Sequence, residues 1–182
     1  MAAGRIPRFV AFLRAVNVGG RTVTNERLRD EFAALGFDDV STFLASGNVL
    51  FIATEGTTDL DRRIEAQLQQ SLGYEVATFV RSAAELVAIA AYDPFPGVES
   101  REGDTVYVNF LRQAVTAGAR RQLAEASNDL DLLHTHKREL YWLRRGPHME
   151  STLKTQLLDR AVGISTNRNM NTVRRLVAKL SG

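Results

Sequence analysis

The sequence predicts an α+β protein built from two ferredoxin-like βαββαβ units in pseudo-repeat, each followed by a helix, with antiparallel sheets. Three observations carry this. Strand-like and helix-like stretches follow one another as strand, helix, strand, strand, helix, strand, helix, and the whole series then occurs a second time. One Pro-rich stretch, Asp93-Pro94-Phe95-Pro96-Gly97, stands between the two series. The ends of the two series also overlay: Phe79-Val80-Arg81-Ser82 followed by Leu86-Val87-Ala88 lies over Thr166-Asn167-Arg168-Asn169 followed by Val173 and Leu176-Val177-Ala178. The expected division is residues 1–92 for unit one and 93–182 for unit two, joined in one compact body.

Phe9 to Val16 is apolar and rich in β formers, broken only by Arg14, and reads as a buried strand. Gly19-Gly20 ends it. Thr24 is the expected N-cap of a helix through Leu35, with Leu28, Phe32 and Leu35 at helical spacing and Gly36 as the stop. Val40 to Ala45 and Val49 to Ala53 are strands joined by Ser46-Gly47-Asn48, a hairpin turn. Thr58 or Asp59 caps a helix to Leu72, with Leu60, Ile64 and Leu68 on one face and Gly73 closing it. Glu75 to Val80 is the fourth strand, and Ser82 caps a helix through Ala91.

In the second series Thr105 to Leu111 is a strand and Thr116 to Ser127 a helix weakened by Gly118. Leu130 to His134 and Glu139 to Leu143 form a hairpin around Lys137. Ser151 or Thr152 caps a helix to Ala161, Gly163 to Thr166 is a short strand, and Asn169 to Leu180 is the last helix.

Composition narrows the function classes. The chain has 182 residues, 45% hydrophobic and 24% charged, which suits a globular protein able to bury its own core. With no cysteine, disulfides, thiolate chemistry and Cys-ligated zinc are excluded. No apolar run approaches a membrane span and no signal peptide is visible, so the expected setting is cytoplasmic, with no membrane partner. Net charge is only +2, unevenly spread: residues 1–91 carry 9 Lys+Arg against 11 Asp+Glu, whereas 132–182 carry 10 against 3. The basic second half raises nucleic-acid binding as a possible partner class. Against it, Val49-Leu50-Phe51-Ile52 lacks the Gly-aromatic pattern of an RNA-binding sheet, and Tyr107 and Tyr141-Trp142 are as well explained by core packing.

Three polar words hold the candidate ligand residues. Arg14, Asn17, Gly19, Gly20 and Arg21 follow the first strand, where two glycines expose backbone N–H groups, a helix N-terminus follows, and two arginines can clamp a phosphate or carboxylate. The word fits neither the P-loop nor the dinucleotide fingerprint. Ser46, Gly47 and Asn48 are first of all a turn, but a βαββ order places them at the same end of the sheet as that loop. Thr166, Arg168, Asn169 and Thr172 belong to a segment too polar for capping alone, so it reads as a buried hydrogen-bond network or a ligand site. His134 and His136 share a strand face, yet no third ligand has metal-site spacing, so no metal is assigned. No catalytic motif or general base is identifiable, and the residues specify neither a cofactor nor an oligomeric state.

At these words the chain resembles the bacterial family catalogued as domain of unknown function 1697. The resemblance rests on Leu13-Arg14-Ala15-Val16-Asn17-Val18-Gly19-Gly20-Arg21, Leu28-Arg29, Leu35-Gly36-Phe37, Val40 to Phe51 around Ser46-Gly47-Asn48, and Ser165-Thr166-Asn167-Arg168-Asn169 with Asn171-Thr172-Val173 and Leu176. It runs from about residue 8 to 180. Two positions depart: Asn167 stands where a Thr or other small residue is expected, and Met170 where an aromatic, often Trp, is expected. The resemblance implies small stand-alone α+β proteins with ferredoxin-like halves, and it implies no activity, cofactor or catalytic residue. The functional expectation is a small-molecule-binding protein or small enzyme for an anionic or nucleotide-like ligand. The alternative is a nucleic-acid or protein interaction module using the basic second half.

Overall fold

A computed structural model of the chain describes residues 7–44, 47–146, 153 and 155–181. In chain order it contains β1 (Arg8–Leu13), α1 (Asn25–Ala34), β2 (Asp38–Thr42), β3 (Asn48–Ile52), α2 (Leu60–Leu72), β4 (Thr78–Ser82), α3 (Ala83–Ala91), β5 (Thr105–Leu111), α4 (Ala117–Ala126), β6 (Asp131–His136), β7 (Glu139–Arg144), α5 (Thr155–Val162), β8 (Ser165–Asn169) and α6 (Met170–Ser181). The strands make two four-stranded sheets, ordered β2-β3-β1-β4 and β6-β7-β5-β8. Every pairing is antiparallel. This is the ferredoxin-like order twice over, so the protein is α+β. Contacts group residues 1–88 with 176–182 as unit one and 89–175 as unit two. A cut at residue 93 gives the whole last helix to the second unit; by contact, its C-terminal half goes with the first.

In unit one, α1 presents Leu28 and Phe32 and α2 presents Leu60, Ile64 and Leu68, each series at the three-to-four spacing of one helix face. These pack on Ala11 and Leu13 of β1 and Val49 and Phe51 of β3. Phe51 is the hub, with ring centroids 4.5 Å from Phe37, 5.4 Å from Phe32 and 5.7 Å from Phe9. The Thr24 hydroxyl accepts the Arg27 N–H and starts α1. Gly73, at φ 78°, turns the chain out of α2. In unit two, Leu123 of α4 and Leu158 of α5 cover Leu111 of β5 and Leu140 of β7. The other face of each sheet is buried too, by Val10, Phe12, Leu50 and Phe79 in unit one and by Val108, Phe110, Tyr141 and Leu143 in unit two. Burial on both faces explains why Phe9 to Leu13 reads as a continuous apolar run rather than an alternation.

Several boundaries differ from the sequence expectation. β1 stops at Leu13, because Ala15 takes a left-handed φ of 55° that no strand can carry. β2 starts earlier, at Asp38, through an irregularity between Asp38 and Ser41 where Asp39 has φ 48°. β4 runs Thr78–Ser82 rather than Glu75 to Val80; Val76, which made the earlier stretch look like strand, is a core residue in the approach to it. The largest shift is at the end. The strand expected over Gly163 to Thr166 runs instead from Ser165 to Asn169, so Asn167 and Arg168 are strand residues of β8 and Asn169 is its last residue rather than the first of the helix. Their backbones pair with β5, and a ladder is made by peptide groups whatever the side chains are. The expected caps Ser151 and Thr152 lie outside the described residues.

Candidate functional site

The antiparallel register pairs Phe12 with Asn48, and the Leu13 N–H donates to the Gly47 carbonyl at 2.8 Å. The β2–β3 turn thus sits beside the end of β1, where the 14–23 loop begins. Ser46 lies outside the described residues. Asn48 is buried and acts locally: its amide donates to the Phe43 carbonyl at 3.0 Å, and its own carbonyl accepts the Phe43 N–H at 3.0 Å. Gly47 has φ 127°.

The loop itself is braced. Asn17 Oδ1 accepts the Val23 N–H at 2.6 Å. The Tyr74 hydroxyl donates to the Val16 carbonyl at 2.8 Å, and the Arg21 guanidinium lies over the Tyr74 ring at 4.2 Å. Between these braces Gly19 and Gly20 hold φ of 71° and 78°, and a Cβ at either would meet nothing within 4 Å. The glycines are there for their backbone conformation, not for close packing. Neither glycine makes a hydrogen bond among the described residues, and there the Arg14 guanidinium has no partner either.

The third word belongs to unit two. Thr166, Arg168 and Asn169 lie on β8, opposite Phe110, Val108 and Tyr107 of β5. Arg168 Nη1 donates to Thr166 Oγ1 at 2.9 Å and to the Asn167 carbonyl at 2.7 Å. Burial lowers its pKa to about 10, which leaves it a cation at neutral pH. Asn169 Oδ1 accepts the Asn171 N–H at 2.8 Å and so caps α6. Thr172 sits in the first turn of α6.

Registers place Arg168, Val108, Tyr141 and His134 in one row across this sheet, and Thr166, Phe110, Glu139 and His136 in the next. Directly paired residues share a face. Tyr92, from the segment after α3, covers the imidazole end: its ring stacks on His136 at 4.2 Å, and its hydroxyl is 2.8 Å from His134 Nε2. The His134 pKa is lowered, first by burial, then by His136 and Arg120. No group of three or more His, Cys, Asp or Glu side chains suited to a metal occurs among the described residues.

Unit two also contains a cleft of about 450 Å³, whose lining includes Tyr92, Phe95, Val98, Glu99, Asp104, Val106, Leu143, Asn169, Met170, Asn171 and Arg174. Only Asn169 of these is among the sequence candidates. Asp93-Pro94-Phe95-Pro96-Gly97 reads as punctuation in the sequence, and nothing local marks Glu99 or Arg174, because the cleft forms only when the segment after α3 folds back beside α6.

A family model for proteins of unknown function, DUF1697, matches residues 6–141. The chain belongs to this family. The DUF1697 match ends before β8 and α6, so the last polar word lies beyond it. No curated protein matches the chain. Among solved structures it is similar to a conserved bacterial protein, SP0830, from Streptococcus pneumoniae, with a TM-score of 0.79 and 20% identity over 98% of this chain and 100% of that one. At that identity the likeness concerns the fold. Among the described residues no helix is long and apolar enough to cross a membrane.

Proposed function

We propose that this DUF1697 protein binds an anionic small molecule, nucleotide-like in chemistry, through the 14–23 loop of unit one. The observation that carries the reading is the division of labour in that loop. Asn17, Tyr74 and the Arg21–Tyr74 stack hold its shape, while the Arg14 guanidinium and the Gly19-Gly20 backbone are left unengaged among the described residues. A loop held this firmly around unused donors is preorganised, which lowers the ordering cost of binding. Arg14 supplies the forked donor for a phosphate or carboxylate. Gly19 and Gly20 supply N–H groups with no side chain to block approach. Gly47 and Asn48 border the loop from the β2–β3 turn, and Ser46 belongs to the same proposed set. Arg168, Thr166, Asn169 and Thr172 form the unit-two part of the candidate set, where the bonds of Arg168 and Asn169 favour a structural part.

The test is a thermal-shift panel of inorganic phosphate, sugar phosphates, mononucleotides and short single-stranded RNA, at low and high salt. A ligand at 100 times its Kd adds about 2.7 kcal/mol, worth roughly 5–10 °C in a chain of this length. The expected result is a shift with a phosphorylated small molecule that disappears in Arg14→Ala, whose own Tm matches the parent. A shift unchanged in Arg14→Ala overturns the assignment to this loop. A shift only with RNA, falling steeply with salt, moves the reading to an interaction module.

A further inference from the structure

We propose that the unit-two cleft is a second, separate binding site, for a small molecule with an anionic group and an amino group on an apolar body. Size and shape are the first argument. A cleft of about 450 Å³ falls within the range that holds cofactor- and metabolite-sized ligands.

The walls are fixed by contacts that leave the cleft free. Tyr92 is clamped by its stack on His136 and its bond to His134. Asp93 Oδ1 accepts the Phe95 N–H at 3.0 Å and sets the turn that places Phe95. The 99–104 segment is tied by a buried ion pair, Arg145 Nη1 to Asp104 Oδ2 at 3.1 Å, with side chains 10% and 5% exposed. The same guanidinium reaches the Glu99 carbonyl at 3.3 Å, and Asp104 Oδ2 accepts the Arg101 N–H at 2.9 Å. Asp104 is therefore part of the frame.

Two lining charges remain outside that frame. The side chains of Glu99 and Arg174 make no bond or ion pair among the described residues, with each other or with anything else. Opposite charges left apart on one cleft suit a ligand that carries the complement of both: an anionic group for Arg174 and an N–H donor for Glu99. Phe95, Val98, Val106, Leu143 and Met170 provide apolar surface in the same lining. Amino-bearing nucleotides and amino acids with apolar side chains share this chemistry.

The experiment uses matched pairs that differ in the amino group. Calorimetric titrations of the full chain are run with AMP against IMP and with L-phenylalanine against 3-phenylpropanoate. The expected result is that one amino-bearing member binds at least about tenfold more tightly than its partner. In an Arg14→Ala background, which silences the loop, Glu99→Gln removes that preference and Arg174→Ala removes binding of both members, with the Tm of each variant unchanged. The preferred pair identifies the source of the amino group. The proposal is overturned if no member of either pair binds, or if binding shows no preference and is indifferent to both substitutions. Arg14→Ala run in parallel separates the two sites: it affects the loop alone, so either site can fail while the other stands.

Discussion

His134 shows how a side chain that looks like a metal ligand becomes a pH-sensitive structural contact. Its pKa is lowered in the fold, chiefly by burial, with smaller effects from His136 beside it and from Arg120. A histidine whose folded pKa lies below its unfolded value of about 6.5 binds fewer protons folded than unfolded. Its contribution to stability is complete above the unfolded pKa and is lost as pH falls through that value toward the folded one. The Tm should therefore fall between pH 7.5 and pH 5.5, and calorimetry should find a smaller fall in His134→Gln, which keeps a partner for the Tyr92 hydroxyl. Equal falls in the two proteins would remove His134 as a source. The pair His134 and His136 was visible in the sequence as two imidazoles on one strand face; the Tyr92 ring that occupies them was not, because Tyr92 lies 42 residues from His134 and no periodicity joins them. The turn at Gly19 and Gly20 is legible for the opposite reason: it is local, and both glycines take the positive φ that the absence of a side chain permits.

Elements built from local rules were the easiest to read. The cap residues Thr24 and Ser82, and the buried faces of α1 and α2, stand where spacing and capping chemistry put them, whereas Thr116, expected inside its helix, is the N-cap of α4. The strands are harder at their ends, and β8 most of all: its start is legible at Ser165 and Thr166, but Asn167, Arg168 and Asn169 give no strand signal while their backbone completes the β5 edge. α3 offers the clearest test of a local device. Ser82 Oγ accepts the Glu85 N–H at 3.2 Å, and Glu85 Oε2 accepts the Ser82 N–H at 2.8 Å, a reciprocal capping box. Ser82→Ala should cost about 1 kcal/mol, read as a lower urea midpoint at unchanged slope. Ser82→Asp, which keeps an acceptor at that position, should recover most of it. An alanine variant as stable as the parent would mean that solvent replaces the box at no cost.

At the scale of the whole molecule the repeat is written in the registers. Val10 pairs with Arg81 in one sheet and Val108 with Arg168 in the other; Phe9 with Ser82 and Tyr107 with Asn169 follow one step on. The equivalence deduced from the overlay of Phe79 to Ser82 on Thr166 to Asn169 is thus residue for residue, although only the arginine is shared. What the overlay did not reveal is that α6 serves unequally: residues up to Arg175 group with unit two and Leu176–Gly182 with unit one. Sequence order hides this, since the helix follows β8 without a break. Leu176 is fully buried, and Arg8 Nη1 donates to the Leu180 carbonyl at 3.3 Å, tying the first described strand to the last helix. Leu176→Ala should therefore destabilise the protein by roughly 2–5 kcal/mol. Hydrogen exchange should show where: a chain ending at Arg175 should lose amide protection in β1 and β3, which lie more than 120 residues earlier, before it does so in β5 and β7. Equal loss in both sheets would show that the two units open together, and unaltered protection in β1 would show that the final helical turns contribute nothing to unit one.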